Sequence, residues 1–134
     1  MSLAEISEKS ILPTKTHFEF YTGGFAGRSF NILLEDGALH CRSFGVNYGT
    51  LEELIKIPID GHEDWNSLME YLTTRRWKGE YVNEDILDGN HWTLKVVSDP
   101  TNIDANGANA YPRGFKKFLR MLNDITEEHN FSIS

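Results

Sequence analysis

The sequence predicts an α+β domain, an antiparallel β-meander of four to six strands with two main helices packed on one face. Three observations predict it. Asp36-Gly37 lies between two alternating runs, and Trp92, Leu94 and Val96 alternate with polar neighbours. Residues Trp65 to Leu72 and Phe115 to Ile125 carry apolar side chains at helical spacing. A chain of 134 residues suits one core, so residues 15–128 are read as a single domain. Residues 1–14 show no period and are read as a loosely ordered N-terminal arm. Residues 129–134 are read as a frayed tail.

Each element has its own reason. His17 to Tyr21 alternates, placing Phe18 and Phe20 on one face of a first strand, and the glycines at 23, 24 and 27 supply a turn. Asp-Gly tolerates positive φ at both positions of a two-residue turn, whose twist matches the strands beside it. That turn pairs Leu34 with Leu39, Ile32 with Cys41 and Phe30 with Ser43 on an apolar face. Leu33 with His40, Asn31 with Arg42 and Ser29 with Phe44 fall on the mixed face. Thr50 to Glu53 has capping-box spacing, but Pro58 limits any helix there to one or two turns. The first full helix starts at Asp60 as N-cap, with Trp65, Leu68, Met69 and Leu72 in one stripe. Arg75-Arg76 near its end suit the helix dipole. Residues 77–87 are poorly patterned and hold at most a short strand. Asp88-Gly89-Asn90 reads as a hairpin turn before the strand His91–Val97, and Asp99 to Asn102 as a second turn. Residues 103–110 form a last edge strand or a loop. Pro112 is placed as the first residue of the closing helix.

Composition excludes several function classes. Forty per cent hydrophobic and 12% aromatic residues exclude a disordered or collagen-like chain. No run approaches the ~20 apolar residues of a membrane span. Thirteen Lys+Arg against 20 Asp+Glu give a formal charge of −7, which argues against general nucleic-acid binding. The single cysteine, Cys41, excludes an internal disulfide, and no signal-peptide core follows Met1, so the expected compartment is a reducing cytoplasm.

No metal or cofactor is expected. The five histidines never fall at i, i+4 on a helix, Cys-x-x-Cys is missing, and Asn66 stands where His62-Glu63 would need a second histidine. Cys41 falls on the apolar face opposite Ile32, where a thiol is a poor nucleophile. The carboxylate pairs (Glu35-Asp36, Glu52-Glu53, Glu84-Asp85, Glu127-Glu128) are sequence neighbours rather than groups facing each other across a cleft. The glycines at 23–27 lead into a strand, whereas a phosphate loop opens a helix. No catalytic residue is assigned.

The closing helix is different. Between Ala105 and Asn123 there is no acid, yet Arg113, Lys116, Lys117 and Arg120 are all present. At helical spacing the four cations span an arc of about 100° opposite Phe115, Phe118 and Leu122. This strip is a candidate docking surface for an acidic protein or an anionic ligand. Trp77 has no evident face and is a candidate for capping the core or, with Tyr111, rimming a groove.

Two runs carry a resemblance. Asp88-Gly89-Asn90-His91-Trp92-Thr93-Leu94 and Gly107 to Phe118, which contains Asn109-Ala110-Tyr111-Pro112, are similar to a group of small, uncharacterised, mostly bacterial domains. Their pattern is Asp-Gly-x-x-Trp-x-Leu followed by Gly-Ser-Asn-Ala-Tyr-Pro. It covers about residues 77–122, and Ala108 stands where that group has serine. The resemblance implies a fold element and no reaction. Within it, Asn109 is placed to bond the amides at the helix start, while Tyr111 packs its ring and extends its hydroxyl.

The functional expectation is a non-enzymatic binding or protein-interaction module using the basic strip or the Trp77–Tyr111 groove. The alternatives are a small enzyme with a groove around Asp88, His91 and Tyr111, and an immunity-type inhibitor of a toxin. Sequence sets no oligomeric state.

Overall fold

The computed structural model describes residues 16–24, 29–44, 52–83, 90–99, 101–129 and 131. Its elements run β1 (His17–Gly24), β2 (Ser29–Glu35), β3 (Ala38–Phe44), β4 (Glu52–Pro58), α1 (Glu63–Thr73), β5 (Lys78–Val82), β6 (Asn90–Ser98), β7 (Thr101–Ala108) and α2 (Phe115–Thr126), followed by a 3-10 turn, Glu127–His129. The seven strands form one sheet in the order β4-β3-β2-β1-β6-β7-β5.

This is an α+β fold, but not the pure meander expected, and it has more strands. β1 to β4 do form a meander. The β6–β7 hairpin then joins the other side of β1, and β5 closes that edge parallel to β7. A parallel edge strand receives its register from tertiary packing, and Lys78–Val82 has only Tyr81 half-buried, so no alternation announces it.

The β2–β3 hairpin has the register that Asp36-Gly37 dictates, from Leu34 opposite Leu39 to Ser29 opposite Phe44. Both turn residues take positive φ, 53° and 78°. The register continues across the sheet, lining up Ile55, Cys41, Ile32, Phe20, Leu94 and Ala105 on one face. All but the half-buried Ile55 are buried. The two helices roof that face. Trp65 of α1 meets Phe18 edge-on at 5.2 Å, while Phe118 and Phe115 of α2 meet Phe20 at 5.1 Å and Trp92 at 4.7 Å. Each such side chain contributes about 1.5–3 kcal/mol by leaving water. The opposite face stays open, with Glu35, Leu54 and Lys95 exposed.

Several local expectations are corrected. Glu52–Pro58 is a strand, because Ile55 and Ile57 alternate and no helical period follows the capping-box spacing. The N-cap of α1 is His62 rather than Asp60, its Nδ1 accepting from Trp65 N–H at 3.2 Å. Arg75-Arg76 lie just beyond the C-cap Thr74 rather than in the last turn. β7 is an interior strand. Its inward residues Thr101, Ile103, Ala105 and Gly107 are mostly small or polar, which hides the alternation from a hydropathy reading. The closing helix begins at Phe115; Pro112 precedes it in a turn, where its carbonyl accepts from Phe115 N–H at 3.1 Å. Arg113 therefore lies before the helix. Asp88-Gly89 is outside the described residues, and the strands on either side of that segment are separated by β7, so they form no hairpin. Within the segment read as a tail, Phe131 is buried against Phe30 at 5.9 Å. Among the described residues, no helix is long and apolar enough to cross a membrane.

Candidate functional site

Asn109-Ala110-Tyr111-Pro112 carries the chain from the end of β7 to α2. Asn109 takes positive φ, 58°, and clasps the start of β6: its N–H donates to Asn90 O and its Oδ1 accepts from Asn90 N–H, both at 2.9 Å. It holds the sheet end and does not cap the helix, whose N-cap is Gly114 with no side-chain hydrogen bond. Trp92 Nε1 donates to Ala110 O at 2.9 Å, fixing the bend from below. Tyr111 stacks on Trp92 at 6.3 Å and 19° and stays about half exposed. Pro112, Phe115, Leu119 and Lys116 continue from it along a groove of about 490 Å³.

The sequence-derived residues divide by face. Trp77 is buried, donates from Nε1 to Arg113 O at 3.0 Å, and packs on Phe118 at 5.8 Å. It caps the core. His91 is exposed and alternates with Trp92 in β6, so it projects from the open face of the sheet while Tyr111 lies on the roofed side. The structure does not bring His91 and Tyr111 together, and Asp88 is outside the described residues. Among the described residues, no group of three or more His, Cys, Asp or Glu side chains is placed to hold a metal.

Cys41 is fully buried, and burial pushes its thiol up from 9.0 to about 12. A thiol-specific reagent at neutral pH should leave the folded protein unmodified and react once denaturant is added. Rapid modification of the native protein would contradict the burial. The folded-state value lies above the free thiol's, so this group's stabilising contribution is intact below pH 9 and is lost as pH rises from 9 toward 12.

Lys116, Lys117 and Arg120 are exposed on one side of α2, and Arg113 is exposed in the turn just before it. Sequence reasoning found this strip but missed its extension. Tyr71 of α1 donates its hydroxyl to Gly114 O at 2.9 Å, tying the two helices together. The Arg75 guanidinium sits 4.9 Å and the Lys117 ammonium 5.2 Å from the Tyr71 ring centre. Gly114 allows this approach: a Cβ there would lie 2.5 Å from the Tyr71 hydroxyl. Arg75 thereby joins the strip as part of one cationic surface. The ion pairs among the described residues that involve histidine, His17–Glu19 and His62–Glu128, lie elsewhere. No carboxylate among the described residues pairs with the strip. The first turn of α2 holds no acid, and its lysines oppose the helix dipole at a cost of a few tenths of a kcal/mol each. No protein-family model matches the chain, and neither a curated protein nor a solved structure does.

Proposed function

We propose that the protein is a non-enzymatic interaction module that docks an acidic protein on its cationic surface. The observation that carries this reading is the unneutralised run of Arg113, Lys116, Lys117 and Arg120, joined through Tyr71 to Arg75, on a chain of net charge −7. A strongly acidic chain that gathers these cations where no carboxylate among the described residues pairs with them has an unused electrostatic complement. The groove beside Tyr111 adds apolar area next to Lys116, which suits a partner that mixes carboxylates with an apolar anchor. The enzyme reading has less support, since His91 and Tyr111 occupy opposite faces. The Asn-Ala-Tyr-Pro resemblance names no reaction, so the proposal rests on this chain's own residues.

The test compares capture by the wild type and by Lys116→Glu/Lys117→Glu, quantified by mass spectrometry. Acidic proteins should be recovered with the wild type and lost with the variant. Identical sets of recovered proteins would overturn the reading.

A further inference from the structure

The sheet has two edges, and they are built differently. β5 is five residues long and contains Gly79 at a φ of 83°, so its backbone leaves extended geometry and offers no flat ribbon to a neighbour. β4 is seven residues long, and no strand among the described residues pairs with its outer side. Ile59 N–H donates to Gly37 O at 3.1 Å, one step beyond the Pro58–Ala38 pair. Bonded pairs alternate along an antiparallel ladder, so Ile57 and Ile55 likewise spend their backbone groups on β3. Glu52, Leu54 and Lys56 lie between them and turn their N–H and C=O groups outward. Leu54 is 44% exposed, and Phe44, diagonally across from it on the same face, is 38% exposed.

We infer that two copies of the chain associate edge to edge through β4, antiparallel, with Leu54 opposite Leu54 of the second copy. A two-fold axis at Leu54 turns the edge onto its own equivalent, and the two sheets become one. The outward N–H and C=O groups of Glu52, Leu54 and Lys56 then meet their complements, and the two leucines cover each other on the open face. Charge selects both the register and the partner. Lys56 of each copy stands opposite Glu52 of the other. Sliding by two residues sets Lys56 against Leu54 and brings Pro58, which has no N–H, into the ladder. Sliding by four sets Lys56 against Lys56. A foreign strand meets the same lysine and proline, which guard an exposed edge, without the acid that a second copy brings to the matching place. None of these residues belongs to the cationic strip on α2, so either surface can fail without the other.

Sedimentation equilibrium of the full chain at concentrations up to about 1 mM tests the inference, since a contact made by one pair of strands is weak. The weight-average mass should climb from the 15.3 kDa of one chain toward twice that value. Leu54→Lys should hold the chain at the monomer mass over the whole range. Lys56→Glu should weaken association by about tenfold, because like charges then face each other. Glu52→Lys/Lys56→Glu should restore it to within about threefold of the wild type. Leu54 and Lys56 are exposed, so their single variants should melt with the wild type. A monomer mass at every concentration would overturn the proposal. So would a dimer that survives both Leu54→Lys and Lys56→Glu, which would place the contact elsewhere. Failure of the double exchange to restore association would overturn the register centred on Leu54.

Discussion

Gly107→Ala should destabilise the protein by about 3 kcal/mol, a fall of roughly 10 °C in Tm for a domain of this size. A Cβ at Gly107 would collide with Trp92 Nε1 and lie 2.7 Å from Ala110 O. These are the two atoms of the hydrogen bond that fixes the bend into α2. Trp92 is fully buried between Phe115, Tyr81 and Tyr111, so the indole has nowhere to move. The substitution therefore combines overpacking with a buried N–H left without its acceptor. Gly37→Ala is the control. Nothing lies within 4 Å of a Cβ at Gly37, so only the positive φ of 78° is penalised, at about 1–2 kcal/mol. Equal effects of the two substitutions in a thermal melt would show that the Trp92–Ala110 clamp is not what makes Gly107 necessary.

Lys116→Glu/Lys117→Glu should weaken an acidic partner by about a hundredfold at low salt, equivalent to about 2.7 kcal/mol. Each reversal moves the formal charge by two, taking the chain from −7 to −11. Attraction at the centre of the strip becomes repulsion. The gap between variant and wild type should narrow as salt shortens the Debye length, because the strip is exposed. Stability moves the other way. Acids in the first turn of α2 complement the helix dipole, offsetting the loss of the Lys117–Tyr71 contact, so the variant should melt no lower than the wild type. Fluorescence anisotropy with an Asp/Glu-rich peptide measures the first effect and a thermal melt the second. A variant that loses binding only by unfolding would contradict both.

Much of this fold is legible in the sequence, and the parts that are not share a cause. The β2–β3 register can be read residue by residue, because Asp36-Gly37 fixes the turn and slipping by one residue would expose Phe30 and Ile32 together. The helical stripes are legible because Trp65, Leu68 and Leu72, then Phe115, Phe118, Leu122 and Ile125, hold one face. β7 is hidden because the sheet needs small residues inward: Ala105 and Gly107 make room for the aromatic layer and for Trp92. β5 has no alternation, since its place is set by its pairing with β7 rather than by its own side chains. The site divides the same way. The acid-free run of α2 is a local property and is visible, whereas the joining of Arg75 to Lys117 depends on Tyr71 and Gly114, which are 43 positions apart.

The most direct measurement is a two-dimensional amide NMR titration of the isotopically labelled chain with the Asp/Glu-rich peptide. The shifts should concentrate at Arg113–Arg120 and around Tyr71 and Arg75. Shifts confined to the open face, at His40, Arg42 and Lys56, would contradict an interaction surface built by the two helices.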